Sequence, residues 1–259
     1  MFISKEEQKL SADFLNKGYL VKNIKDTNSL SKIYEIVEKY CIKEFKYKNK
    51  KNIFNNIHKS LKIKDLNDFR LSLHNHINKN KKFRELYYNI AKEYLNILVG
   101  NELAMQNKVN LSIQFPKDSS SLLPLHSDTW SGDSPFEIVV WLPLVDCFDT
   151  KSMFILSPKK SKILYKNFSK KNKSNSDQIF NSIKKDLRFI NIKYGQVLIF
   201  NQSLPHGNTI NRENETRVSL NCRFKGLFSP YGDKKLGEFF EPIIIRPATK
   251  IGMDYKDPE

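Results

Sequence analysis

Three residues of this 259-residue chain stand out by type and spacing: His126 and Asp128, as His-Ser-Asp, and His206, eighty residues further on. A His-x-Asp pair is weak alone, since chance yields about 0.27 of them in this composition. Its setting adds weight, because it follows an alternating run at 108–116 and a Ser-rich loop at 118–121. Two imidazoles and one carboxylate on one face of a metal leave three coordination positions open, enough for a bidentate 2-oxo acid and O2 on Fe(II). Arg217 lies eleven residues beyond His206, in Arg217-Val218-Ser219. An Arg with a nearby hydroxyl suits a remote carboxylate through fork-shaped, charge-assisted hydrogen bonds. The plain alternatives are three unrelated polar loop residues, a structural ion pair for Arg217 and a local hydrogen bond for Ser219.

These residues need strands to hold them. In 108–116, Val109, Leu111, Ile113 and Phe115 alternate with Asn110, Ser112 and Gln114. That is strand periodicity. In 216–224, Arg217, Ser219, Asn221 and Arg223 share one face, and Val218, Leu220, Cys222 and Phe224 the other. A polar face with apolar backing implies a polar-lined cavity, which makes Gln114 and Asn221 candidates to line it. Further strands are read at 137–146, 152–156, 188–192 and 195–200. Upstream the texture is helical: a helix over 4–17 ended by Gly18, a short strand at 19–23, then helices from about 28 to 99, with no proline before Pro116. The stretch 158–188 reads as a lysine-rich loop with a helix near 176–187. The expectation is a helical region over 1–100 packed on a mostly antiparallel β core over 101–259, as one structural domain.

Composition removes several classes. No run of about 18 apolar residues is present, so no transmembrane helix is expected. The start, MFISKEEQKLSADF, lacks a secretory apolar segment; a cytoplasmic protein is the expectation. Cys41, Cys147 and Cys222 are odd in number and contain no CxxC pair, which suits reduced thiols and excludes a disulfide scaffold or a cysteine-ligated zinc fold. The 44 Lys+Arg and 28 Asp+Glu give a net charge of +16. That excess sits in 1–100 (+10) and 158–193 (+9), with 101–157 at −4. It is carried by 37 Lys and only 7 Arg. Nucleic-acid readers lean on Arg, so a solvated lysine surface is the plainer reading. His74 and His76 form an H-x-H in an Asn/Lys-rich helical stretch and read as ordinary surface or core residues.

On the ordered set His126-x-Asp128, His206 and Arg217-x-Ser219, the sequence resembles the 2-oxoglutarate/Fe(II)-dependent oxygenase superfamily, on its phytanoyl-CoA-hydroxylase-like side. More narrowly, LLPLHSDTWSGDSPFEIVVWLPLVDC, KSMFILSP and RFKGLFSPYGDKKLGEFFEPIIIRPATKIGM resemble the sporadically distributed carbohydrate-cluster members of that superfamily, over about residues 105–253. The resemblance implies a double-stranded β-helix, a jelly-roll or cupin-like core, behind the N-terminal helical layer. It implies His126, Asp128 and His206 as Fe(II) ligands, and 2-oxoglutarate decarboxylated to succinate with O2. Arg217 and Ser219, with Gln114 and Asn221 nearby, would hold the co-substrate. Asp128 stands where a halogenase would have a small residue, which argues against halogenation.

The substrate class comes from the resemblance alone: a small polar molecule, sugar-like or a glycan precursor. Trp130, Asp133, Trp141 and Arg223 are candidates for its wall, and Lys159, Lys160 and Lys162 for a phosphate handle. Two other functions compete. One is the same chemistry on nucleic acid, suggested by the net charge; the other is a non-catalytic β-barrel binding module that merely holds a metal. Residue pattern implies no oligomeric state.

Overall fold

Alternation in the sequence is what builds the main sheet. The computed structural model describes residues 2–46, 52–166 and 176–257. Part of the lysine-rich stretch read at 158–188 therefore lies outside the described residues, at 167–175. In chain order the elements are α1 (Lys5–Lys17), β1 (Tyr19–Asn23), α2 (Thr27–Phe45), α3 (Leu66–Lys79), α4 (Phe83–Asn89), α5 (Lys92–Leu98), β2 (Leu103–Gln106), β3 (Asn110–Gln114) and β4 (Glu137–Pro143). They continue with β5 (Phe154–Ile155), α6 (Pro158–Lys166), α7 (Ser176–Ile183), β6 (Arg188–Phe189), β7 (Gln196–Asn201), β8 (His206–Gly207), β9 (Arg217–Gly226), β10 (Phe240–Ile244) and α8 (Pro247–Asp254).

Seven strands form one antiparallel sheet in the order β1-β7-β4-β9-β2-β10, with β3 also paired to β9. Strand β9 is long enough to pair β3 with its first half and β2 with its last residues. Register then sorts the side chains, because directly opposed residues share a face. Gln114 opposes Arg217, Ser112 opposes Ser219, and Asn110 opposes Asn221, which in turn opposes Trp141. Arg223 opposes Val139, and Val139 opposes Phe200. These rows make the polar face. The other face, with Val218, Leu220, Cys222 and Phe224 and their partners Ile113, Leu142, Val140 and Ile138, is apolar and buried.

The helices cover that apolar face. Ile33, Val37 and Cys41 of α2, Leu73 and Ile77 of α3, and Phe83 and Tyr87 of α4 belong to the same hydrophobic cluster as the sheet. The Tyr87 hydroxyl, fully buried, reaches the carbonyls of Val140 and Leu220 on adjacent strands at 2.9 and 3.1 Å. His76 of α3 stacks on Tyr40 of α2, ring centroids 4.8 Å apart. All three cysteines are free and buried, and burial pushes each thiol up to about 12, leaving them protonated and unreactive near neutrality. Among the described residues no helix is long and apolar enough to cross a membrane.

Across the polar face lies a second, three-stranded sheet, β6-β5-β8. Its outer side is closed by a smaller apolar cluster of Leu125, Phe154, Leu156 and the α7 residues Ile179 and Ile183. The strand read at 188–192 is only two residues long, and that at 152–156 likewise, because the second sheet is made of short bridges. The segment 158–166, read as loop, is the helix α6. Elements β2, β8, β10 and α8 were not expected from sequence.

The hydroxyl of Tyr87 ties the helical layer to two strands at once. Tyr87→Phe removes that one shared donor from two buried strand carbonyls. A loss of about 1–2 kcal/mol is expected, read as a lower denaturant midpoint at unchanged m-value; an unchanged midpoint would contradict this packing.

Candidate functional site

The two histidines are brought together by backbone pairing. His126 N–H donates to the His206 carbonyl at 3.0 Å, and His206 N–H to that of His126 at 2.8 Å. Asn208 extends the ladder: its N–H donates to Leu123 O, and its side-chain oxygen accepts from Leu123 N–H at 2.7 Å. The ladder can close only because residue 207 is glycine. A Cβ there would stand 2.8 and 2.9 Å from the carbonyl oxygens of Leu123 and Pro124, closer than such atoms pack. Asp128 opens a 3-10 turn, Asp128–Ser131, and its N–H donates to Gln202 O at 3.2 Å. Gly132, at φ 87°, ends the turn in the left-handed region that favours glycine.

The ring orientations follow from two further backbone contacts. His126 Nδ1 lies 2.8 Å from Pro124 O, and His206 Nδ1 lies 2.8 Å from Leu204 O. A carbonyl can only accept, so each Nδ1 carries a proton, and in the neutral imidazole the lone pair is then on Nε2. Both Nε2 atoms face Asp128 Oδ1, at 3.4 and 3.9 Å. Burial, then the neighbouring His126, holds His206 down to about 4, so it is neutral at pH 7. Burial works against a charge on Asp128, yet contacts with His126, Arg223 and His206 together keep its carboxyl well below the usual range.

Two unprotonated Nε2 atoms this near a carboxylate oxygen repel it, and a cation held by all three would relieve that repulsion. Metal bonds of about 2.1 Å at right angles put neighbouring ligand atoms about 3 Å apart, so the 3.4 and 3.9 Å separations would contract around an ion. All three ligand atoms lie within 4.8 Å of one another, and this is the one cluster of three or more such groups among the described residues with that property. His74 and His76 do not join it. Two neutral imidazoles and one carboxylate suit Fe(II) and its divalent analogues.

The triad borders a cavity of about 170 Å³ between the two sheets. Ser112, Trp141, Phe200, Arg217, Asn221 and Arg223 line it from the large sheet, and Leu123, Met153 and Asn208 from the opposite side. Arg217 is buried, and burial lowers its pKa. Its Nη2 donates to Ser112 Oγ at 3.2 Å, its Nε has no hydrogen-bond partner, and no carboxylate of the described residues pairs with it. Ser219 Oγ and Gln114 Oε1 are likewise buried without a partner. Gln114 and Ser219 belong to the same polar face but not to the cavity lining itself, while Gln114 Nε2 donates to Thr209 O at 2.7 Å. Asn221 lines the cavity and accepts from Asn110 Nδ2 at 3.1 Å.

Of the four residues read as substrate wall, Arg223 and Trp141 line the cavity, and Asp133 and Trp130 do not. Arg223 donates through Nη2 to Asp128 Oδ2 at 2.8 Å and through Nε to Gln202 Oε1 at 2.9 Å. Asp133 lies outside the cavity, with Lys234 Nζ at 2.6 Å. Trp130 is 41% exposed on the Asp128 turn, edge-on to Tyr165 at 6.4 Å. Of the α6 lysines, Lys160 pairs with Asp186 at 2.8 Å. Gln202, Glu137, Asn208 and Lys234 were not singled out beforehand. Gln202 and Asn208 fall within 201–208, NQSLPHGN, around His206, and a search for amides flanking that histidine finds them.

No protein-family model matches the sequence, and no curated protein does. Solved structures do match in fold. ThoJ, described as a non-heme monooxygenase in its nickel complex, superposes with TM-score 0.57 at 13% identity, over 93% of this chain and 85% of that one. AviO1 from Streptomyces viridochromogenes gives 0.58 at 11%, over 89% and 99%. SnoK, described as a non-heme alpha ketoglutarate dependent carbocyclase from nogalamycin biosynthesis, gives 0.50 at 14%, over 93% and 96%.

The geometry predicts that the isolated chain binds one Mn(II) or Co(II) ion. His126→Ala, whose part-exposed side chain is not core packing, should weaken that binding well beyond the roughly 10–100-fold typical of losing a mere supporting group, with the metal-free unfolding midpoint little changed. Equal affinity in parent and variant by calorimetric titration would remove the site.

Proposed function

We propose that this chain, which has the fold of non-haem oxygenases, is itself an Fe(II)- and 2-oxoglutarate-dependent dioxygenase. Its two sheets are read as the halves of a double-stranded β-helix, with the 1–100 helical layer and the 101–259 core as one structural unit. The single observation that carries the co-substrate is Arg217: a buried guanidinium in the triad's own cavity with no carboxylate to meet it. Burying a cation without a partner is costly. A ligand carboxylate would supply the partner, and Ser219 Oγ, also lacking one, is a further donor on the same face. A dicarboxylic 2-oxo acid reaching from the metal towards Arg217 uses both ends of the cavity.

Each residue then has a task. His126, Asp128 and His206 would hold Fe(II), which supplies oxidative decarboxylation of the 2-oxo acid and hydrogen abstraction from the substrate. Pro124 O and Leu204 O keep the two imidazoles in the tautomer that can ligate. Arg217 and Ser219 anchor the distal carboxylate, with Asn221 and Gln114 beside them. Phe200 packs edge-on against His206 at 5.0 Å and keeps water from that flank.

A cavity of about 170 Å³ has room for the co-substrate and little more. The substrate is therefore read as meeting the site at its mouth, where the His126 side chain is 27% exposed and Leu123 is exposed. A small polar substrate of sugar-like type is the reading we favour, and the exposed Trp130 beside the Asp128 turn suits the apolar face of a sugar ring. Three buried, free cysteines suit a cytoplasmic protein.

Succinate should form from 2-oxoglutarate only when Fe(II) is present. Arg217→Ala should raise the apparent 2-oxoglutarate requirement roughly 100-fold, at about 1.4 kcal/mol per factor of ten, and leave metal affinity nearly unchanged. Arg217→Lys should recover only part of the loss, since an ammonium cannot reproduce the fork. An Arg217→Ala chain with the parent's 2-oxoglutarate dependence would overturn this assignment.

A further inference from the structure

Arg223 stands among three carboxylates. Its Nη2 donates to Asp128 Oδ2 at 2.8 Å and lies 3.5 Å from Asp133 Oδ2; its Nε lies 3.9 Å from Glu137 Oε2. The Nε end is tethered, because it donates to Gln202 Oε1 at 2.9 Å. Gln202 cannot turn over: its Nε2 donates to Glu137 Oε2 at 2.9 Å and to Ser134 O at 3.0 Å. The free choice is therefore at Nη2, which two carboxylate oxygens contest.

Lys234 bears on that choice. Its Nζ sits 2.6 Å from Asp133 Oδ2, the same oxygen that faces Arg223 Nη2. Asp133 is buried and its Oδ1 has no hydrogen-bond partner, so Oδ2 carries the whole burden of neutralising that group. The segment bearing Lys234 is fastened to the turn that carries the metal carboxylate. Asp233 N–H donates to Gly132 O at 2.9 Å, and Gly232 lies so close that a Cβ on it would stand 2.2 Å from Gly132 O.

We infer that Lys234 is a positioning residue for the metal carboxylate, acting through Asp133 and Arg223. By neutralising Asp133, Lys234 leaves Arg223 Nη2 to Asp128, which pins Asp128 Oδ2 and presents Oδ1 to the two imidazoles. Without Lys234, Asp133 is a buried carboxylate whose nearest cation is Arg223. Leaving it unpaired costs more than stretching another pair, so the guanidinium moves to Asp133 and Asp128 loses its pin. This inference rests on the metal reading of the triad.

The test uses the full chain and Co(II), titrated calorimetrically without 2-oxoglutarate, with the cobalt absorption spectrum recorded alongside. Lys234→Met should weaken Co(II) binding about 10-fold, the scale for a group that orients a ligand, and should alter the spectrum. Lys234→Arg should stay near the parent. Asp133→Asn in the Lys234→Met background removes the competing carboxylate and should restore both affinity and spectrum. Parent-like binding by Lys234→Met, or a double variant as weak as the single one, would overturn the inference. If Lys234→Met does not fold, Asp133→Asn alone decides: it should bind at least as tightly as the parent, and weaker binding would overturn the inference. A parent that binds no Co(II) sinks the metal reading itself, an outcome seen in the same experiment and distinct from any variant's.

Discussion

Everything in the site depends on two neutral imidazoles and a carboxylate oxygen being held against their mutual repulsion. The tautomers are set by two backbone carbonyls, Pro124 O and Leu204 O, each two residues before the histidine it orients. The distance between the rings is set by the reciprocal bond pair between His126 and His206, and by a glycine beside the second that lets the chains close. The three groups could hold a cation between them, and two nitrogens with one oxygen suit metals that accept such donors on one face.

The large sheet turns one strand into two electrostatic tasks. Arg217 and Arg223 share a face of β9, six residues apart, and both line the same cavity. Arg223 is surrounded by Asp128, Asp133 and Glu137 and donates to Asp128. No carboxylate of the described residues pairs with Arg217, and in the proposed reading its partner is a carboxylate that enters. The contrast comes from what opposes each residue: Gln114 lies across from Arg217, whereas Arg223 faces the turn that carries Asp128 and Asp133. The helical layer contributes by keeping the other face dry, so that the polar residues have only one direction in which to point.

Much of this was legible in the residues. Alternation over 108–116 and 216–224 sorted Gln114, Arg217, Ser219 and Asn221 onto one face, and the register bears that sorting out. The helix and strand at the start fall at Lys5–Lys17 and Tyr19–Asn23, as Gly18 indicates. What escaped has physical reasons. Strand β8 is two residues long and carries no period to read. Helix α6 is hidden by its lysines, since Ser161 is its one buried residue. The partners of Asp133 and Arg223 lie about a hundred residues apart in the chain, and one strand's facing says nothing of which loop will meet it. Arg223, read as substrate-facing, does line the cavity, and its hydrogen bond to Asp128 is a contact the strand pattern does not reveal.

The most direct test of the account is a crystal structure of the chain grown with Mn(II) and 2-oxoglutarate under exclusion of O2. The account predicts one metal ion bonded to His126 Nε2, His206 Nε2 and Asp128 Oδ1, and the distal carboxylate of 2-oxoglutarate forked on Arg217 with Ser219 Oγ beside it. A metal bound elsewhere, or 2-oxoglutarate lying away from Arg217 with that guanidinium still unpaired, would contradict it.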